Sequence, residues 1–321
     1  MAVEARYHPS RDQLALAGAL NDSLVDLLPL ARVHASHEEG AETWAALDAL
    51  GVFGVAVSEE LGGSGLGAAE EALIVMGLGR RLVAPSVLAA LGAVHGRASG
   101  KPISGLAGRR AAAGYRRGDR AVMVDEAGAD LLLLRGESDA ALFEAPASKE
   151  TIEDQLWAAR LAEVDGLGSP LAMFGPDELL RLRLIDAAAL SGLAEAALEM
   201  AVAYSGVREQ FGRPIGSFQA VKHHCANMAI AARCARDQTS FAAVALDDAR
   251  EDAELQVECA LLMAGSAALE NAGKNIQIHG GIGFSDEADP HLILKRAQVL
   301  IAVAGGLEAA TDRVANVKGG W

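Results

Sequence analysis

The 321-residue chain is long enough for two or three packed layers around a sizeable core, and its 51% apolar share is rich in alanine with only 4% aromatic residues, a composition that favours close-packed helices. Its 28 basic residues face 43 acidic ones, a formal charge of −15 that argues against nucleic acid and anionic membrane as partners while leaving single arginines able to bind phosphate. No apolar run reaches membrane-span length and the N-terminus shows no signal-peptide core, so a cytoplasmic setting is expected.

Residues 1–98 read as a mostly helical domain. Leu14, Leu16, Leu20, Leu24, Leu27 and Leu28 recur near helical spacing, and Pro29 marks the end of that helix. A second helix carries Trp44, Leu47 and Leu50 before Gly51. The stretch "GVFGVAVSEELGGSGLG" then predicts a short extended piece, a polar corner and a glycine loop, after which helical periodicity resumes from Ala68 to Val83 and closes at Pro85.

Over residues 99–176 the texture changes. "RAVMVDEAGADLLLLRGESDAALFEAP" alternates short apolar runs with Gly, Asp and Ser, as short strands and turns do. The segment is small for an independent β-domain.

Residues 177–321 are helical again, in longer elements. Leu193, Ala197, Met200, Tyr204 and Val207 step by alternate fours and threes along one face. Phe218, Val221, Cys225, Met228 and Ala232 repeat the pattern after an intervening turn. Further helices are expected from Ala253 to Gly273 and from Asp289 to Val303, which makes a four-helix bundle. The three cysteines, Cys225, Cys234 and Cys259, lack metal-ligand spacing; Cys225 and Cys234 share one helix and are expected to be small core residues in a reducing compartment. The fold class expected is therefore mainly α with a small β middle domain.

The turn between the first two bundle helices, "VREQFGRPIGSFQ", is chemically dense for so alanine-rich a chain. "VREQFGRPIGSFQAVKHHCANMA" and "NIQIHGGIGFSDEADPHLILKRA" together resemble the paired C-terminal signatures of the acyl-CoA dehydrogenase family, and "LDALGVFGVAVSEELGGSGLG" resembles that family's N-terminal lead-in to its first glycine loop. The resemblance covers both helical parts, with several positions at set spacing in each signature. It implies N-terminal helices, a middle β-domain and a C-terminal bundle that tetramerises around FAD.

In that family the turn reaches across a dimer interface to the FAD of a neighbouring subunit. Carried over, Arg208 would pair with pyrophosphate oxygens, Gln210 and Phe211 would line the diphosphate and flavin edge, and Gln219 would hydrogen-bond the dinucleotide. Gln277, Gly280 and Gly281 would meet the adenosine end. The residue types suit these roles, since guanidinium is a planar multidentate donor and glycine admits close approach. Taken singly, each also reads as a helix cap, a C-terminal glycine or a solvated polar residue. The "GGSGLG" loop at 62–67 follows no convincing strand and reads as a turn between helices rather than a dinucleotide fingerprint. His223 and His224 are adjacent, so they face different ways, and nothing near them has metal-ligand spacing. His279 lies inside the glycine signature and could touch cofactor.

Two departures from the family shape the functional expectation. The base that removes the α-proton of the thioester falls, by the family's spacing, 17 residues beyond Glu287, where this chain has Ala304. The alternative base lies 26 residues before Arg208, where it has Leu182 beside Arg183. Neither position takes a proton, and losing a general base typically costs on the order of 10²–10⁴ in rate. Glu308, one turn past Ala304 if the helix continued, is the nearest candidate. The second departure is in the middle segment, which lacks the family's Gly–Ser–Asp flavin loop and is truncated there; Arg97, Arg109, Arg110, Arg116, Arg117 and Arg120 read as a solvated basic face.

The expectation is a half-site subunit with no catalytic residue and no metal. It would complete the FAD site of a full-length partner in an α₂β₂ acyl-CoA dehydrogenase, as actinobacterial enzymes acting on steroid side-chain CoA thioesters are built. The alternatives are a self-sufficient flavoenzyme with a displaced base such as Glu308, and a cofactor-free helical scaffold.

Overall fold

The computed structural model describes residues 6–36, 39–118, 120–124, 128–146, 149–152 and 159–317. Parts of the middle segment (125–127 and 153–158) lie outside them. The N-terminal helices are α1 (Arg11–Leu27), α2 (Arg32–Ala35), α3 (Ala41–Ala49), α4 (Ala68–Arg80) and α5 (Pro85–Ala93). Ser10 starts α1 with a capping box to Gln13. Leu24 and Leu28 are buried, whereas Leu14 and Leu16 stay exposed.

Two local expectations fail here. Residues 52–54 form a 3₁₀ turn instead of an extended piece, because Gly51 in the left-handed region tucks Val52 and Phe53 inward, where Phe53 stacks on Trp44. Pro85 does not close a helix but opens α5 at its first turn, where proline's missing N–H costs nothing.

The strands are β1 (Arg97–Ala98), β2 (Lys101–Pro102), β3 (Ala111–Arg117), β4 (Arg120–Val124), β5 (Leu131–Arg135), β6 (Ala140–Glu144), β7 (Lys149–Ile152), β8 (Leu161–Val164) and β9 (Ala172–Met173). They join one sheet in the order β2-β1-β9-β6-β5-β3-β4-β8-β7. Every pairing is antiparallel except that of β3 with β5. Leu131 and Leu133 enter the main core while Leu132 and Leu134 enter a second cluster with Met123, Phe143 and Val164. Burial on both faces explains the unbroken leucine run. The arginines of this region are not one basic face. Arg97 pairs with Glu178, Arg120 with Glu163 (2.6 Å), and Arg110 reaches the Glu39 carbonyl (2.7 Å) while lying over the Trp44 ring.

The bundle comprises α6 (Pro176–Val207), α7 (Gln219–Asp247), α8 (Ala253–His279) and α9 (Pro290–Val303), followed by a further helix, α10 (Leu307–Asn316). Between α6 and α7 lies a hairpin, β10 (Glu209–Gln210) with β11 (Arg213–Pro214). Buried alanines line the helix seams, among them Ala187, Ala194 and Ala197 on α6 and Ala260, Ala264 and Ala268 on α8. Asn271, buried on α8, donates to the carbonyls of Ala194 and Met228, each at 3.0 Å, and so ties three helices at one level. At the crossing of α4 with α6 the backbones nearly touch: a Cβ on Gly192 would lie 2.1 Å from the Met76 carbonyl oxygen, and one on Gly79 2.2 Å from that of Ala189. Cys234 is exposed on α7 and Cys225 half-buried, so the pair does not form the expected core.

Candidate functional site

The last turn of α6 hands the chain to the hairpin through Arg208, whose N–H donates to Tyr204 O while its own carbonyl accepts from Ile215 N–H. Gln210 and Arg213 are partners across the hairpin, which leaves Phe211 and Gly212 as the two residues of the loop, at φ +54° and +76°. A two-residue loop with both φ positive is the turn that the strand twist favours, and it asks for Asn-Gly or Gly-Gly. Gly212 fits. Phe211 does not, since a bulky residue in the left-handed region costs about 1–2 kcal/mol.

The strain at Phe211 is not offset by burial, because the residue is 93% exposed. Its ring meets Phe218 edge-on at 6.1 Å, and the Arg213 guanidinium lies 4.1 Å over the Phe218 ring. Arg208 is exposed, and among the described residues its guanidinium has no ion pair or hydrogen bond. Gln210 donates only to the neighbouring Glu209 carbonyl, at 2.7 Å. Gln219 is exposed at the first turn of α7, and no side chain caps that helix, so its N–H groups and the positive end of the helix dipole lie open beside the hairpin.

The second signature ends α8. Gln277 is exposed and accepts from Lys274 Nζ at 3.0 Å. Gly280 has φ +70° and ψ −147°, a conformation essentially reserved for glycine. No atom of the chain lies within 4 Å of a Cβ built on Gly280 or Gly281, so internal packing does not ask for glycine at 281. The following 3₁₀ turn (Gly280–Phe284) exposes Ile282 at 52% and Phe284 at 69%.

These two elements meet. Tyr204 and His279 stack with ring centroids 4.0 Å apart, and His279 Nδ1 lies 2.8 Å from the Asn275 carbonyl. Burial holds the His279 pKa below its ordinary value. The imidazole therefore fastens the two signatures together, a role that reading it as a cofactor contact did not anticipate. The donor set fits a dinucleotide. An unpaired guanidinium, an open helix N-terminus, exposed glutamines and a glycine corner without internal crowding share one end of the bundle, beside exposed aromatic rings.

The glycine loop at 62–67 offers no such site. It precedes α4, whose first N–H groups are already taken by the Asp247 carboxylate, at 2.6 Å from Ala68 N and 3.0 Å from Ala69 N. His223 is exposed and His224 half-buried, and among the described residues no group of three or more His, Cys, Asp or Glu could hold a metal.

The expected base positions lie elsewhere. Leu182 is buried on α6 and Ala304 is buried at the end of α9. The helix does not continue to Glu308: Gly305 and Gly306, at φ +93° and +88°, break it, and Glu308 is exposed on the first turn of α10. Near this region are buried ion clusters that the sequence pattern concealed. Arg183 Nη1 and Arg313 Nε flank the fully buried Glu258 at 2.6 and 2.9 Å. Arg135 Nη1 lies 2.5 Å from Asp186 Oδ2, and burial pushes the Asp186 pKa up despite the nearby guanidinium. Between α4 and α6, Glu71 holds Arg181 at 2.5 Å and His95 at 3.0 Å.

Two family models match the chain: that described as Acyl-CoA dehydrogenase, C-terminal domain, over residues 177–318, and that described as Acyl-CoA dehydrogenase, N-terminal domain, over residues 11–107. The chain is 31% identical over 253 residues to the acyl-CoA dehydrogenase IpdE2 of Mycobacterium tuberculosis, covering 77% of each protein. It is 33% identical over 301 residues to the acyl-CoA dehydrogenase FadE34 of the same organism, covering 84% of this chain but only 42% of FadE34. The chain thus spans less than half the length of that relative. Its fold matches a chain of the ChsE4-ChsE5 complex from Mycobacterium tuberculosis with a TM-score of 0.76 at 21% identity, over 97% of this chain and 98% of that one.

Proposed function

The chain belongs to the acyl-CoA dehydrogenase family, and from that membership we propose that it is the half-site, non-catalytic subunit of a heteromeric enzyme that desaturates an acyl-CoA thioester between Cα and Cβ. The observation that carries this reading is Phe211, held in a strained left-handed turn yet 93% exposed. Neither local propensity nor packing within the chain accounts for it, whereas a surface completed by a second subunit does. Val207, at 78% exposure, and Phe284 extend the same apolar end, and uncovered patches of this kind mark interaction surfaces.

In this reading the FAD belongs to the partner's β-domain. Arg208 would pair with its pyrophosphate, Gln210, Phe211 and Gln219 would line the dinucleotide, and Gln277 with Gly280 and Gly281 would receive the adenosine end. Bound FAD supplies the acceptor for the β-hydride. This chain adds no proton acceptor at Leu182 or Ala304, so the α-proton goes to a carboxylate of the full-length partner. The ChsE4-ChsE5 match, itself a complex, supports a heteromeric assembly. For the acyl group we propose a steroid side-chain thioester, and for the setting the cytoplasm, where thiols such as Cys234 stay reduced.

The test is flavin content per chain in the assembly captured on a tagged copy of this subunit, set beside its intact mass. Two FAD per tetramer of two unlike pairs, with turnover lost when the partner's base is removed, is the expected result. Four FAD per tetramer, or a yellow and active homomer of this chain, would show a complete site here. An assembly without flavin would make the chain a scaffold.

A further inference from the structure

A small cavity lies between α5, the sheet and the bundle, at one of the two positions where a base is expected and beside the other. Leu182 lines it directly, and so does Val303, the residue before Ala304. It has room for about one water molecule. The walls are Pro85, Leu88, Leu133, Ile185 and Leu300 with small alanines, and only two polar side chains enter, Arg135 and Asp186. These two are bound to each other at 2.5 Å, with side chains 9% and 5% exposed.

A buried ion pair contributes little net stability, because desolvating two charges roughly cancels their attraction, and apolar residues of similar volume often serve as well or better. The Asp186 pKa has the direction expected if desolvation outweighs the attraction. What the pair does supply is bulk, in a cavity whose other lining residues are apolar, with Arg183 and Arg313 acting on Asp186 from beyond that lining.

We propose that the Arg135–Asp186 pair is a plug: it fills a latent apolar pocket in this chain, of the kind that takes an alkyl or acyl group, and so leaves acyl binding to the partner subunit alone. The biological sense of the plug rests on the half-site reading; its physical test does not. Cutting both side chains back would enlarge this space toward the size of apolar cavities, roughly 150 Å³, that stay dry and bind benzene.

The experiment uses the assembled complex, with benzene as the probe and calorimetric titration as the readout. Arg135→Ala/Asp186→Ala is expected to take up one more benzene per copy of this chain than the wild-type complex does. A folded double variant with no added benzene site would overturn the proposal, as would a wild-type site that disappears in the variant. If the double alanine variant does not fold, Arg135→Met/Asp186→Leu decides the matter. This variant refills the space without charge, and the plug requires it to fold with a melting temperature within a few degrees of wild type and with no extra benzene. Its failure to fold would make the pair a structural fastener instead of a filler. A flavin count other than two per tetramer would sink the half-site reading and leave the benzene result standing.

Discussion

Tyr204 on α6 and His279 on α8 stack with their ring planes 22° apart, and the hairpin begins five residues after the first while the glycine corner follows the second directly. The α6–α8 seam that sets one signature against the other, held by its packed alanines and by Asn271, therefore ends in an aromatic contact that carries a titratable ring. Because burial lowers the His279 pKa, the folded state resists protonating it. The stability this gives is present above the ordinary value of 6.5 and is lost as pH falls through the depressed folded value. His279→Phe keeps the stack and removes the proton site. Its melting temperature should fall less steeply between pH 7 and pH 5 than that of wild type; equal acid slopes would show that His279 does not set this limb.

Arg208→Ala should leave the assembly intact and weaken FAD retention. A charge-assisted bond to phosphate contributes roughly 1.5–3 kcal/mol, so FAD affinity in the complex should fall by about one to two decades. Arg208→Lys should recover only part of that, since an ammonium cannot fork onto two oxygens. Dilution-driven FAD release followed by fluorescence measures both variants, and unchanged release from Arg208→Ala would remove the residue from the site.

Glu71 contributes the opposite of a surface charge. Burial alone would raise its pKa, but Arg181 and His95 together bring it down from 4.5 to about 2. Its stabilising effect is thus fully present above pH 4.5 and is lost as pH falls through 2. Asp186, with its raised pKa, has the reverse sign and loses stabilisation as pH rises through its folded value. Glu71→Gln should cost about 3–5 kcal/mol at neutral pH, because it leaves the largely buried Arg181 without its carboxylate, and it should flatten acid unfolding. Denaturant melts at pH 7 and pH 3.5 would show it; an equal loss at both would exclude the linkage.

Gly192→Ala is expected to destabilise the chain although alanine is the better helix former. The added methyl would meet Met76 O at 2.1 Å and Arg80 N at 2.7 Å, both backbone atoms of α4, so α4 and α6 must move apart. Overpacking of this kind typically costs roughly 1–3 kcal/mol. A rise in melting temperature would mean that α4 and α6 accommodate the methyl without loss of packing.

Helical periodicity made the bundle legible, since Leu193, Ala197 and Tyr204 repeat on one face of α6, and the two dense motifs marked the end that carries the candidate residues. Periodicity says nothing of backbone sign, however, so the left-handed turn at Phe211 and the break at Gly305–Gly306 were invisible. The break moves Glu308 off α9 and onto an exposed helix. Buried charges were hidden for a related reason. Glu71 sits within an apolar run and reads as an exposed helix position until Arg181, 110 residues away in the chain, is placed against it. The arginines at 97–120 looked alike in sequence and differ only in what faces them.

The strained, uncovered ring of Phe211 also has a cost when this chain is in surplus. On the half-site reading, copies made in excess of a partner would circulate with an aromatic tip, Val207 and Phe284 bare to solvent, and would be the copies that chaperones hold and proteases clear. Cellular abundance of the subunit should then be set by how much partner is synthesised, with extra message yielding turnover instead of protein.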